Sequence, residues 1–284
     1  MRRIHFVDVF SADPFLGNPV AVVLDAEDLS TAEMQKIARW TNLSETTFVL
    51  PPTVQDADYQ LRIFTPHSEL PFAGHPTLGS AHAVHSVGWV PARGRLTQQC
   101  AAGLVVIIPS SDHDVAKYQL QLPKAVTTVV SEQTAAQLVE VLGDKIDQSR
   151  EPRVIDVGPR WLVAKISSID RLLAITPAFG ALRSLEESLG ITGVTLYAES
   201  PSGIEVRSFA PSQGVDEDPV CGSGNGAVAV FRCLTGELQR GARYTATQGQ
   251  CLGRRGRVEI EIGADGEIGV GGACVTTFAG SLAG

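Results

Sequence analysis

Three stretches of this chain carry residue types that move protons or hold anions. The richest is Asp216-Glu-Asp-Pro-Val-Cys-Gly-Ser-Gly-Asn-Gly-Ala-Val-Ala-Val230, where an acidic run leads through a glycine-rich turn into an apolar, helix-like segment. A glycine-rich loop opening a helix presents unpaired backbone N–H groups at the positive end of the helix dipole, which suits a carboxylate or a phosphate. Gly222 and Ser223 are therefore candidate substrate-binding residues, with Asp218 and Cys221 beside them as candidate proton carriers. The second stretch is Gly74-His75-Pro76, ahead of the apolar Leu78 to Val84, which offers an imidazole and the Gly74 amide at another expected helix start. The third is the polar break Asn42-Leu-Ser-Glu45, which on its own reads as solvated loop.

The first two stretches correspond to each other. Arg62-Ile-Phe-Thr-Pro66 reads like Arg207-Ser-Phe-Ala-Pro211 at an offset of 145, and Gly74-His75-Pro76 falls opposite Gly222-Ser223-Gly224 at 148. Val7-Asp8-Val9 answers Ile155-Asp156-Val157 at 148, and Thr47-Phe48-Val49 answers Leu196-Tyr197-Ala198 at 149. A period near half the chain points to two similar domains rather than a solenoid.

The elements needed to position these residues follow from periodicity. Ile4 to Phe10, Val20 to Leu24, Thr46 to Leu50 and Tyr59 to Phe64 read as strands, and Ser30 with Glu33 reads as the capping box of a helix. Thr77 to Val87 is an apolar helix, Leu96 to Pro109 and Tyr118 to Leu122 are strands, and Pro109 to Lys117 is the expected linker. In the second half, Ala135 to Leu142, Leu182 to Leu189 and Ala227 to Leu234 are helices. Val154 to Val157, Trp161 to Ile166, Gly193 to Ala198 and Ile204 to Phe209 are strands, and Val258 to Ile262 with Glu267 to Val270 reads as a hairpin. Strands outnumber helices, and each half carries one apolar helix late in its order. The expected fold is α+β: two similar domains, each a barrel-like, mostly antiparallel sheet wrapped around a central helix. The expected boundaries are 1–115 and 116–271, with the tail from about 272 to 284 a candidate to return to the first domain.

The composition narrows the function. At 284 residues, 44% hydrophobic and 19% charged, the chain suits a globular protein with two cores. A net charge of −8 argues against nucleic acid or an anionic membrane as a partner. The cysteines at 100, 221, 233, 251 and 274 are odd in number and include no C-x-x-C pair, which points to reduced thiols in the cytoplasm rather than a disulfide or zinc framework. No apolar run has signal-peptide or membrane length. The glycine-rich turn lacks the lysine of a P-loop and the Rossmann spacing, which disfavours a nucleotide enzyme.

Gly17-Asn-Pro-Val-Ala-Val22, Asn42-Leu-Ser-Glu-Thr-Thr-Phe48, Arg62-Ile-Phe-Thr-Pro66, Glu69-Leu-Pro-Phe-Ala-Gly-His-Pro76 and Glu217-Asp-Pro-Val-Cys-Gly-Ser223 together resemble the PhzF-like isomerases of phenazine biosynthesis. The motifs run in that family's order over nearly the whole chain. The resemblance implies a diaminopimelate epimerase-like fold, a homodimer, and cofactor-free isomerisation of trans-2,3-dihydro-3-hydroxyanthranilate or a related small carboxylate. It implies that Glu45 is the general acid/base, with Ser44 beside it as a candidate substrate-binding residue. His75 and Asp218 then hold the substrate's polar groups and assist the proton movement, and Ser223 with the amides near Gly74 and Gly222 completes the site.

Each residue also has a plainer role open to it. His75 is a candidate capping histidine, Asp218 a turn or capping aspartate, and Ser223 a cap. The paired Arg62 and Arg207 read as structural. Cys221 sits where epimerases of this fold place a thiol, and a helix N-terminus is expected to lower its pKa. Its repeat counterpart is Ala73, so a symmetric two-thiol racemase is disfavoured. The alternatives are an amino- or imino-acid epimerase or dehydratase using Cys221, and a non-catalytic small-ligand binding protein.

Overall fold

The computed structural model describes residues 1–90, 94–200 and 203–283. The chain divides into two compact units, Met1–Gln121 with Gly271–Gly284, and Leu122–Val270.

The first unit begins with strands β1 (Arg2–Val9) and β2 (Asn18–Val23), then helix α1 (Thr31–Thr41). Strands β3 (Thr46–Leu50), β4 (Tyr59–Phe64) and the short β5 (Glu69–Leu70) lead to α2 (Gly74–Ser86). Strands β6 (Leu96–Cys100), β7 (Gly103–Asp112) and β8 (Val115–Gln121) follow. The second unit opens with β9 (Val126–Val129), α3 (Glu132–Leu142), β10 (Arg153–Asp156) and β11 (Arg160–Lys165). It continues with α4 (Ile169–Ala174), α5 (Phe179–Leu189), β12 (Gly193–Ser200), β13 (Gly203–Ala210) and β14 (Val215–Asp218). Then come α6 (Gly222–Leu234), β15 (Arg243–Gln248) and β16 (Gly256–Ile262). The last strand, β17 (Ile268–Leu282), pairs antiparallel with β1 and brings the chain back to the first unit.

The pairing repeats element for element. In the first unit β1 is antiparallel to β2, β2 parallel to β3, β3 antiparallel to β4, and β4 parallel to β6. In the second, β10 is antiparallel to β11, β11 parallel to β12, β12 antiparallel to β13, and β13 parallel to β15. The 145-residue match of the two arginines is also physical. Arg62 donates from Nε and Nη2 to both oxygens of Glu69 at 2.7 and 2.6 Å, and Arg207 does the same to Glu217 at 2.9 and 2.8 Å. Both arginines serve the fold, as their plainer reading implied.

Each unit wraps its sheet around one helix. Helix α2 touches β1, β2, β3, β4 and β8, and every residue from His75 to Ala81 is buried. Helix α6 touches β10, β11, β12 and β16 and is buried along most of its length. A helix apolar all round is stable only when enclosed in this way. The outer face of the first sheet packs Phe48 and Phe64 against Met34 and Ala38 of α1, whose Ser30–Glu33 capping box is formed. The second sheet packs its outer face against Leu138, Leu172, Leu182 and Leu185 of α3, α4 and α5.

Three expectations change. The segment from Pro109 to Lys117 is not a linker: β7 and β8 form a hairpin in which Pro109 pairs with Tyr118 and Asp112 with Val115. His113 and Asp114 turn it with φ of 46° and 67°, a geometry that suits the twist of a two-residue hairpin loop. Helix α2 starts at Gly74 rather than Thr77, and α6 at Gly222 rather than Ala227. The glycine-rich turn is therefore itself the first turn and a half of α6. Glycine costs about 1 kcal/mol in a helix, and here the space is taken by neighbours. A Cβ on Gly224 would lie 2.7 Å from both Ser208 Oγ and Thr195 Oγ1, and one on Gly226 would lie 2.5 Å from Leu122. Strands β9, β14 and β15 and the short α4 carry too few residues or too little alternation to show in the sequence.

Candidate active site

Glu45 is placed by the end of one element and the start of the next. Helix α1 stops at Asn42, which takes a left-handed φ of 55°, and four residues later β3 begins. The Thr41 and Thr46 hydroxyls, 2.6 Å apart, close this short loop at both ends. From β3, Thr47 Oγ1 lies 2.8 Å from Ser80 Oγ, a buried tie to α2. The loop carrying Glu45 and the helix carrying His75 are thus fixed to each other through β3.

The result is a close pair: Glu45 Oε2 lies 3.5 Å from His75 Nε2. That is longer than a strong hydrogen bond, and both side chains are largely enclosed, at 16% and 9% exposure. Burial raises the Glu45 pKa above its ordinary value, and the Ser44 side chain pulls it part of the way back. A carboxyl whose pKa is raised above the ordinary carboxylate range is better suited to exchange protons with a substrate. His75 is not the cap of α2. The cap is Ala73, which has no side-chain hydrogen bond to the helix, and His75 is the second helical residue. Gly74 lies just before it, with nothing within 4 Å of where a Cβ would sit. The first turn of α2 therefore places the imidazole beside Glu45 and leaves the Gly74 and His75 amides ahead of the first intrahelical bond.

In the second unit, Asp218 ends β14, and its Oδ1 accepts the Val220 N–H at 3.0 Å. It shapes the turn and is not the helix cap. The cap is Cys221, whose Sγ accepts the Gly224 N–H at 3.3 Å. Ser223 is not the cap either: its hydroxyl oxygen accepts the Trp161 Nε1–H at 3.0 Å and lies 3.6 Å from Cys221 Sγ. The Gly222 and Ser223 amides lie ahead of the first intrahelical bond, a geometry that suits an anionic group. Trp161 was missed by pattern reading. A lone tryptophan next to a turn carries no periodic signal, and its partner is 62 residues away in sequence.

Cys221 corrects an expectation. The helix N-terminus was expected to lower its pKa, but the thiol is held well above its ordinary value by burial and by the charge of Asp218. Desolvation of the thiolate and the neighbouring Asp218 charge outweigh the hydrogen bonds from Ser223 and Gly224 at this position. Arg160 donates to the Gly190 carbonyl at 2.6 Å, where α5 ends. His82 packs on α2 with its Nε2 3.0 Å from Thr276 Oγ1. Among the described residues, no helix is long and apolar enough to cross a membrane.

The family described as phenazine biosynthesis-like protein, PhzC-PhzF, matches residues 7–280. A protein of Schizosaccharomyces pombe named antisense-enhancing sequence 1 is 40% identical, with 96% of each chain covered. The trans-2,3-dihydro-3-hydroxyanthranilate isomerase of Pseudomonas aeruginosa is 35% identical over 94% of this chain and 92% of its own. In fold, a crystal structure of a PhzF-family phenazine biosynthesis protein from Bacillus anthracis superposes with a TM-score of 0.89, covering 99% of both chains at 22% identity. With motifs, repeat and fold in agreement, the chain belongs to the PhzC-PhzF family and is an isomerase.

Proposed function

We propose that this isomerase shifts a proton between carbons of a small carboxylate-bearing metabolite, with trans-2,3-dihydro-3-hydroxyanthranilate as the first substrate to test. The observation that carries the proposal is the enclosed Glu45–His75 pair, in which the carboxyl pKa is raised by burial. Glu45 is the proton carrier: its carboxylate takes a proton from one ring carbon, and the resulting carboxylic acid returns one at another carbon. No atom or electron is left over, so the step itself needs no redox partner. His75, 3.5 Å from the carrier, holds a polar group of the substrate and steadies the charge on Glu45 as it changes. The amides at Gly74, and Asp218, Gly222 and Ser223 in the second unit, are proposed as substrate-holding groups. The 35% identity to a named isomerase of this substrate supports the choice. The accompanying proposal for the whole protein is a cytoplasmic homodimer acting in secondary metabolism such as phenazine biosynthesis, which sedimentation of the purified protein tests at the level of assembly.

The decisive assay incubates the protein with the substrate in deuterium oxide and follows ultraviolet absorbance and NMR. Loss of the diene absorbance with deuterium on a ring carbon is the expected result. Glu45→Gln is expected to bind substrate and to lose at least about two orders of magnitude in rate, the scale of general acid/base catalysis. Full activity in that variant would remove Glu45 from the mechanism.

A further inference from the structure

We propose that Gln248 is a positioning residue for the substrate-holding turn of the second unit, and that Gln98 is its counterpart in the first. The inference rests on the role proposed above for the Gly222 and Ser223 amides and for His75. Gln248 is the last residue of β15 and is 1% exposed. Its Oε1 accepts the Cys221 N–H at 3.1 Å and the Asn225 Nδ2–H at 2.8 Å, and its Nε2 donates to the Asp218 carbonyl at 3.0 Å. One side chain thus holds both ends of the segment from Asp218 to Cys221 and the fourth residue of α6. Asn225 closes the arrangement by donating also to the Cys221 carbonyl at 2.9 Å.

The backbone around this clamp has no slack. Gln248 stands in register with Gly256, and a Cβ on Gly256 would lie 2.3 Å from the buried Val220 side chain. A Cβ on Gly249 would lie 2.5 Å from the Pro219 carbonyl oxygen, and Gly249 takes a φ of +99°. The turn is pressed onto β15 and β16 by close approach and located along them by three hydrogen bonds.

The repeat supplies an independent observation. Gln98 lies in β6, which runs parallel to β4 as β15 runs parallel to β13. It is 0% exposed, donates from Nε2 to Thr77 Oγ1 at 3.0 Å, and accepts the Tyr59 hydroxyl at 3.1 Å. Thr77 is the fourth residue of α2 as Asn225 is of α6. Both units therefore fix the first turn of the central helix with a buried glutamine from the same strand of the repeat. The turns differ in what they carry: α2 presents the imidazole beside Glu45, and α6 presents the amides and hydroxyl of Gly222 and Ser223.

The same lesion at the two positions should therefore have different kinetic consequences. Gln248→Met is expected to raise KM about tenfold or more with kcat within about threefold, because a displaced donor weakens substrate holding. Gln98→Met is expected to lower kcat about tenfold or more with KM within about threefold, because it loosens the proton-transfer pair. A loss of kcat in both with KM unchanged is what fewer folded molecules would produce, and would overturn the proposal. Should Gln248→Met fail to fold, Gln248→Asn keeps both polar functions on a shorter arm and is expected to move KM in the same direction.

Deuterium uptake by backbone amides in the absence of substrate separates this inference from the proposed activity. Uptake in Gln248→Met or Gln248→Asn is expected to quicken over 218–226 while β11, β12 and β13 keep their wild-type protection. Unchanged uptake over 218–226, or an equal rise throughout the second unit, would overturn the positioning role. If the wild-type protein turns over no carboxylate, the activity fails and the uptake pattern alone decides the role of Gln248.

Discussion

Burial raises the pKa of both Glu45 and Cys221, and the same shift has opposite chemical consequences. A carboxyl starts well below neutral pH, so a rise brings it toward the range where it can exchange protons. A thiol starts above neutral pH, so a rise takes it out of that range. The kcat/KM of the enzyme is therefore expected to increase with pH through an inflection above the ordinary carboxylate value, and Glu45→Gln should lose that limb along with its rate. Stability gives the sign independently. The folded protein holds the Glu45 proton to higher pH than the unfolded chain, so stability falls as pH rises from the ordinary glutamate value through the raised one. Urea denaturation should thus show Glu45→Gln gaining on the wild type as pH rises above the ordinary glutamate value; a constant difference would contradict the raised pKa. For Cys221, mass mapping after iodoacetamide treatment of the native protein at pH 8 should find Cys251, which is exposed, modified before Cys221, which is 5% exposed. Rapid alkylation of Cys221, prevented by substrate, would revive the thiol epimerase.

At the scale of elements, the central helices are built by close approach rather than by side-chain volume. A Cβ on Gly79 of α2 would lie 2.4 Å from Val20 Cγ1 and 3.0 Å from Val9 Cγ2. Alanine is the better helix former by about 1 kcal/mol, yet overpacking of this kind costs about 1–3 kcal/mol. Gly79→Ala is expected to be destabilised on balance, with a lower urea midpoint than the wild type. A raised midpoint would show that β1 and β2 can yield. This packing also explains why the helix starts were read late. Gly74-His-Pro and Gly222-Ser-Gly-Asn-Gly carry turn-forming residues, and only the surrounding sheet makes a helical turn of them. The hairpin from Gly103 to Gln121 was hidden for a related reason, since Pro109 and the polar Ser110-Ser-Asp-His-Asp114 look like linker until their cross-strand partners are known.

The whole molecule is one unit used twice, and the two copies have diverged in how deeply they bury the same parts. Arg62 and Glu69 keep 24% and 34% side-chain exposure, whereas Arg207 and Glu217 keep 6% and 9%. Arg207 also donates to the Leu172 and Ile175 carbonyls at 2.9 and 2.7 Å, so it holds the end of α4 as well as its carboxylate partner. Breaking a buried pair from one side costs about 3–5 kcal/mol because a charge is left uncompensated. An exposed pair contributes about 1 kcal/mol or less. Arg207→Met is therefore expected to destabilise the protein several times more than Arg62→Met in urea denaturation. Equal effects would mean that the second unit relaxes around Glu217.

The sequence by itself determined the duplication, the α+β class, most strand positions and the family. These rest on local alternation, capping and motif order, which neighbouring residues along the chain specify. The candidate residues Glu45, His75, Asp218 and Ser223 were likewise named from short motifs. Only the tertiary structure decided that Glu45 lies 3.5 Å from His75, that Cys221 is a buried helix cap, that Trp161 holds Ser223, and that Gln98 and Gln248 clamp the two helix starts. Each of these depends on contacts between residues 21 to 62 positions apart in the chain, or on how much water burial removes. No local pattern encodes either, because both are properties of the packed sheet around its helix.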